Sequence, residues 1–302
     1  MNQPIVNNIM DTARWVAWFR ALETQRSDAH FKDPFAKVLA GEEGRRIAEL
    51  MPHGQSGAWS MVVRTCLIDE LIQKALESGV DTILNLAAGL DTRPYRMFLP
   101  GNLRWIEVDL PGILEHKSKV LEAVIPHCHY EMIKMDLSDV SARRELFVRI
   151  SRQSKKVLVI TEGLLIYLPE ADVTGLARDL AAQPNFDFWI TDIIRPLILR
   201  RAQRSYDQML TKVGARMVFG PKDGPKFFES AGWGQSIFRS VVIEARRLNR
   251  RPRAANIKRL ILNFMPERLR EEIFNGAGVA LLERQKQHQP TLSTKSSAQQ
   301  KA

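Results

Sequence analysis

The chain has 302 residues, 45% of them apolar and 26% charged, which is the balance of an ordinary globular protein rather than a disordered or fibrous one. No run of 18 or more apolar residues occurs, which argues against a membrane-spanning helix, and the N-terminal MNQPIVNNIMDTARW has no basic start and apolar centre of a secretory signal. The formal net charge is +10, and the two cysteines, Cys66 and Cys128, are too few for a disulfide framework and fit free thiols in a reducing, cytoplasmic setting.

In chain order, residues about 11–78 read as helical. Asp11 is placed to cap a helix in which Trp15, Trp18, Phe19 and Leu22 share a face by their spacing. Another helix spans about Ser60 to Ser78, with Ile68, Leu71, Ile72 and Ala75 as its buried stripe and Gly79 at its C-terminal end. Residues about 81–195 then alternate strands (82–87, 104–109, 129–134, 156–161, 186–192) with polar periodic segments (112–124, 139–153, 170–182). Such alternation predicts right-handed crossovers and a parallel sheet covered on both faces. A basic helix follows from about 196, then a Gly/Pro-rich stretch from Phe219 to Pro225 and a short helix ending near Gly232. Two last strands are expected over 237–246 and 277–284, and a polar, disordered tail after Gln285.

The most informative segment is DTILNLAAGLDTR, residues 81–93. A short apolar strand enters a turn of small residues, Ala87-Ala88-Gly89, where a ligand can lie against the backbone. About twenty residues after the turn, a second strand ends in Asp109, placed to accept hydrogen bonds from ribose hydroxyls. Glu107, two residues earlier, faces the same side and is secondary. The turn lacks the G-x-G-x-x-G spacing and the Lys-Ser/Thr of a phosphate loop. A carboxylate at Asp91 would repel phosphates. Both features argue against a dinucleotide, and for a nucleoside with a cationic or zwitterionic end such as S-adenosyl-L-methionine. Beyond the third strand, Asp136 and Leu137 are placed to grip an adenine, although Asp136 could equally start the helix at Ser138. Glu162 emerges at the end of the fourth, fully apolar strand, and Tyr167 could line an acceptor cavity.

These residues carry a family resemblance. The pieces DTARWVAWFRALET, FKDPFAKVLAG, VVRTCLIDE, ILNLAAGLDTRPYR, WIEVDLPGILEHK, KMDLSD, TEGLLIYLPE and FFESAGW span about residues 11–233. Together they resemble the leucine carboxyl methyltransferase family and its bacterial polyketide-type O-methyltransferase relatives. The resemblance implies an S-adenosyl-L-methionine-dependent enzyme of α/β class. Its doubly wound, Rossmann-like sheet would have seven mostly parallel strands, the last antiparallel, under an N-terminal helical cap. One domain is expected over 1–285, with the cap over 1–80, the core over 81–285 and a substrate-side insertion at about 196–230. The resemblance also implies that Arg64 holds the methionine carboxylate, Gly89 lies under the cofactor and Asp109 binds the ribose. Asp136 and Leu137 would flank the adenine, and Glu162 matches the family acid after strand four. Ala87 stands where many relatives have Gly. Arg14 and Lys32 are candidates for a basic residue near the carboxylate.

The acceptor is expected to be a small molecule methylated on a carboxylate or hydroxyl. Apolar residues of the cap and insertion (Trp15, Trp18, Phe19, Trp59, Phe219, Phe227, Phe228) point to a mostly apolar one. A protein C-terminal carboxylate is an alternative acceptor, and a nucleotide-dependent oxidoreductase on the same fold is a rival reading. His127, Cys128 and His129 lack metal-ligand spacing, so no metal is expected. Ten basic residues between Arg239 and Arg270 are opposed only by Glu244 and Glu267. They could attract nucleic acid, anionic lipid or an acidic carrier protein. Without an aromatic-rich RNA motif or finger spacing, a solvated basic face is the preferred reading.

Overall fold

The structure is a computed structural model that describes residues 5, 6, 8, 10–51, 57–250 and 266–285. Seven strands form one sheet in the order β3-β2-β1-β4-β5-β7-β6. They are β1 (Thr82–Leu86), β2 (Arg104–Asp109), β3 (His129–Lys134), β4 (Val157–Thr161), β5 (Phe186–Ile194), β6 (Trp233–Ser240) and β7 (Ala277–Arg284). The first five run parallel, and β7 is antiparallel to both neighbours, β5 and β6. The chain reverses direction across the sheet at β1, between β2 and β4, where open α/β sheets leave a crevice beyond the strand ends.

The central strands are buried because both faces of the sheet are covered, while the edge strands β3 and β6 are partly exposed. Val157 to Thr161 are all buried, as their unbroken apolar run requires of a central parallel strand. One face packs against α6 (Val140–Gln153) and α7 (Glu170–Ala181) through Leu146, Phe147, Ile150, Leu176 and Leu180. The other face packs against α3 (Ala58–Glu77) and α9 (Val241–Arg247) through Leu67, Ile68, Leu71, Ile72, Val241 and Ala245. The N-terminal helices α1 (Met10–Thr24) and α2 (Ala36–Leu50, kinked at Gly41) form a separate cluster with Trp15, Phe19, Leu39 and Ile47 at its centre. Among the described residues, the remaining α-helices are α4 (Arg93–Arg96), α5 (Pro111–Val120), α8 (Pro196–Leu210) and α10 (Glu267–Phe274).

Two local expectations are corrected. The strand expected over 237–246 is β6, ending at Ser240, followed by helix α9. Ser240 stops the strand because its Oγ accepts the Ile243 N–H as a helix cap at 3.2 Å. The β-branched run Val241-Val242-Ile243 reads as strand by propensity, yet Val241 and Ala245 share a helical face buried against α3. At the other end, Asn8 rather than Asp11 opens α1. Asn8 Oδ1 accepts the Asp11 N–H at 3.2 Å, and the Asp11 carboxylate in return accepts the Asn8 N–H at 3.3 Å. No described helix is long and apolar enough to cross a membrane. The expected disordered tail lies outside the described residues.

Candidate active site at the carboxyl edge of the sheet

The turn after β1 is built as the sequence implies. Gly89 has φ +56° and Ala87 φ +54°, both left-handed, and the strain of this conformation falls on Ala87 because it carries a Cβ. The turn is held from the end of β2: Asp109 Oδ2 accepts the Gly89 N–H at 2.6 Å, and Oδ1 accepts the Leu110 N–H at 2.7 Å. Burial pushes the Asp109 carboxyl above its ordinary range, and the two amide bonds only partly offset this. The cap lies directly over the turn. A Cβ on Gly89 would come within 3.5 Å of the Ala13 Cβ of α1. Arg20 of α1 donates to the Leu90 carbonyl at 2.5 Å and to Asp33 at 2.9 Å, while Thr92 donates to the same Asp33 carboxylate.

Beside this pair sits a network of ions. Arg64, from α3, lies 3.0 Å from Glu162 through Nε and donates from Nη1 to Asp192 of β5 at 3.0 Å. Glu162 in turn meets Arg93 at 2.9 Å. Arg93 also pairs with Asp91 at 2.7 Å and Asp69 at 2.6 Å, and Arg96 shares Asp69. Burial pushes Glu162 up, but Arg93 and Arg64 outweigh it and hold the carboxyl below its usual value. Asp91 is likewise held well below the carboxylate range against its burial, chiefly by Arg93. Sequence reasoning singled out Arg64 and Glu162 but missed Arg93, Asp192 and Arg20. Arg93 lies inside the AAGLDTR motif, so it was the one with a signal to find it.

The expectation that Asp91 faces a ligand and repels phosphate is overturned. Its side chain is buried against Arg93 and Asn85, which donates to it at 2.9 Å, so its charge is spent internally. Glu107 does face the same side of β2 as Asp109, but it is wholly buried and bonded to Lys117 at 2.5 Å and to the Tyr130 hydroxyl at 2.6 Å. Asp136 stands exposed beyond β3 and accepts the Ser138 N–H at 2.9 Å, while the following helix is capped by Asp139 instead. Leu137 beside it is half-buried and packs on the core. Lys32 donates to the carbonyls of Thr24 and Arg26, and Arg14 lies 3.7 Å from Asp11 on α1.

Two further expectations change. Phe219, Phe227 and Phe228 pack into the core between the sheet and the 3-10 helix 224–231, with Phe228 wholly buried against Trp189, so they do not line an acceptor site. Trp15 keeps its place at the cap, its ring 5.5 Å from that of Tyr206 on α8. Three arginines of the basic segment are paired rather than simply solvated. Arg239 and Arg247 pair with Glu70 and Glu244, and Arg250 is buried on Glu23 at 2.8 Å and reaches Asp28. Residues 251–265 of that segment lie outside the described residues. His127 and Cys128 belong to the entry of β3, where His127 Nδ1 meets the Met97 carbonyl at 2.8 Å.

The edge acids thus divide into two kinds. Asp91, Glu162 and Asp192 are held by arginines. Asp109 and Asp136, those expected at the ribose and the adenine, hold backbone N–H groups and no cation among the described residues. A carboxylate without a cation is what sugar hydroxyls and an exocyclic amine need as acceptor, so the residues present fit an adenosyl group.

Residues 13–181, more than half of the chain, match the leucine carboxyl methyltransferase pattern. The chain belongs to the leucine carboxyl methyltransferase family. It is similar to a Streptomyces coelicolor protein that bears the provisional name S-adenosyl-L-methionine-dependent methyltransferase, with 35% identity over 191 residues, or 59% of this chain and 66% of that one. A Mycobacteroides abscessus protein with the same provisional name is 33% identical over 193 residues, or 59% of this chain and 64% of that one. The chain thus spans just under two thirds of the length of these curated relatives. Among solved structures, a DUF574 family protein from Streptomyces avermitilis shares the fold, with a TM-score of 0.57 at 13% identity over 90% of this chain and 97% of that one. The family is named for methyl transfer, and S-adenosyl-L-methionine is the donor that these relatives are named for.

Proposed function

We propose that the chain transfers a methyl group from S-adenosyl-L-methionine to an oxygen of a small, mostly apolar molecule. The observation that carries this is the cation-free Asp109 carboxylate locked to the Gly89 turn, beside an arginine, Arg64, at the same edge. In this reading Asp109 accepts from the ribose hydroxyls, Asp136 and Leu137 flank the adenine, and Arg64 takes the amino acid carboxylate. Glu162 holds Arg64 and Arg93 together. When bound, the donor supplies an electrophilic methyl group on a cationic sulfur. The chain contributes alignment and a dry enclosure, which α1 provides by covering the turn.

The acceptor oxygen is best one already ionised on arrival, a carboxylate or an acidic hydroxyl. Tyr167, a phenol five residues past Glu162, is pushed up to about 12 by burial, so it keeps its proton at neutral pH and serves poorly as a base. Its ring packs with Leu199 and Tyr206 of α8, which favours an apolar acceptor body between α1 and α8. Residues 1–285 are read as one unit, and the two free thiols favour a cytoplasmic setting. The described part of the basic segment, neutralised by Glu23, Glu70 and Glu244, gives no support to a nucleic-acid substrate.

The test is a calorimetric titration with S-adenosylhomocysteine and, separately, with NADPH. Binding of the first alone is expected, and binding of NADPH alone would overturn the reading. Transfer of a labelled methyl group to candidate acids and phenols then identifies the acceptor. A label released as methanol by mild base marks an ester, and a base-stable label marks an ether.

A further inference from the structure

We infer that Asp192 is a positioning residue of the donor site, fixing the guanidinium of Arg64 so that its free edge meets the carboxylate of the donor's amino acid tail. The inference rests on the reading above, in which Arg64 takes that carboxylate. Asp192 sits near the carboxyl end of β5, one strand beyond Glu162, and is half-buried. Its two oxygens do different work. Oδ1 accepts the Gly163 N–H at 2.7 Å, and Oδ2 accepts from Arg64 Nη1 at 3.0 Å. Glu162 lies 3.0 Å from Nε of the same guanidinium. Glu162 makes an ion pair at Nε without hydrogen-bond geometry, so among the described residues Asp192 is the side chain that hydrogen-bonds this flat, five-donor group and orients its plane before any ligand arrives.

The third nitrogen, Nη2, makes none of these contacts. The backbone leaves it room: Gly163 has φ +65°, and a Cβ there would stand 3.8 Å from Nη2 and 3.5 Å from Nη1. Asp192 thus holds both the turn that exposes the guanidinium and the guanidinium itself. A long, flexible arginine that must find its own orientation loses side-chain freedom on binding, and one already oriented does not. Asp69, Asp91, Glu162 and Asp192 face Arg64, Arg93 and Arg96, so the network has one carboxylate more than it has guanidiniums. Asp192 has Arg64 as its cation, and Arg93 and Arg96 pair with Asp69 without it.

The experiment compares three ligands on the full chain by calorimetry. They are S-adenosylhomocysteine, its decarboxylated analogue (which keeps the amine) and 5′-methylthioadenosine, which lacks the amino acid end. Asp192→Ala is expected to weaken S-adenosylhomocysteine about 10- to 100-fold, and the other two by less than about threefold. Asp192→Asn, which can still accept from Gly163 but lacks the charge, should fall between wild type and Asp192→Ala. If Asp192→Ala fails to fold, Asp192→Asn is read in its place. Equal losses for all three ligands would show a merely structural acid. A loss shared by the first two but not the third would show that Asp192 grips the amine directly. Either result overturns the inference. Arg64→Ala is the separate control. If it leaves S-adenosylhomocysteine binding unchanged, the underlying assignment fails. If it weakens binding while Asp192→Ala does not, only the role given to Asp192 fails.

Discussion

Replacing Asp109 by alanine is the sharpest perturbation of the donor site. The carboxylate is nearly sealed, and its described contacts are the N–H groups of Gly89 and Leu110, so its cost in the bare protein is set by desolvation. Two ribose hydroxyls donating to it would relieve that cost. At about 1.5–3 kcal/mol for each hydrogen bond to a charged group, the pair is worth about 3–6 kcal/mol, or about 10²- to 10⁴-fold in Kd. The fold loses less. Two amides at a strand end lose their acceptor where water can replace it, at about 1–2 kcal/mol. Asp109→Asn keeps one acceptor oxygen and should fall between. Calorimetric affinity for S-adenosylhomocysteine at pH 7.5, paired with a thermal melt, reads both effects. The pH dependence has a definite sign. Burial raises this acid, so binding that needs the ionised form weakens as pH falls toward its raised pKa, and wild type should lose affinity there sooner than an acid at its ordinary value would. An Asp109→Ala protein that melts like wild type and binds within about threefold of it would refute the reasoning.

Other expectations follow from the same geometry. Arg250→Ala strands the buried Glu23 and should destabilise the fold by about 3–5 kcal/mol, measured by urea unfolding, while nucleic-acid affinity at low salt stays unchanged. Glu107 is pushed up to about 7 by burial, with Lys117 opposing. Its folded value exceeds the unfolded one, so the stability it contributes is present below about 4.5 and lost as pH rises through about 7. The stability gap between wild type and Glu107→Gln should therefore shrink from pH 5 to pH 8 in urea titrations. Gly163→Ala forces a side chain into a left-handed position beside Arg64 and should lower stability by about 1–2 kcal/mol in a melt.

The sheet was legible because burial leaves a mark on composition. Val157-Leu158-Val159-Ile160 can sit only in a doubly covered strand, and the observed bounds of β2 and β3 coincide with the apolar and alternating runs that foretold them. Asp109 was legible because it ends such a run twenty residues after a small-residue turn. The ion network was not. Whether Asp91 faces a ligand or Arg93 depends on which elements the fold brings together, and local spacing carries no record of that. The same holds for Arg250, whose partner Glu23 lies 227 residues away. Phe219, Phe227 and Phe228 were misread for a related reason: an aromatic ring reads alike in sequence whether it fills a core or lines a cavity, and only packing against Trp189 decides.

The first helix resting across the glycine turn makes it a door as well as a roof. With Ala13 against Gly89 and Arg20 latched to Leu90, the proposed reading calls for that helix to swing away from the sheet when spent product leaves and fresh donor enters. Its far end is bolted by Glu23 to Arg250, far along the chain, so the bolt sets how often the door opens without touching what passes through. Loosening it with the conservative Arg250→Lys should quicken product escape in stopped-flow traces, while equilibrium affinity changes little.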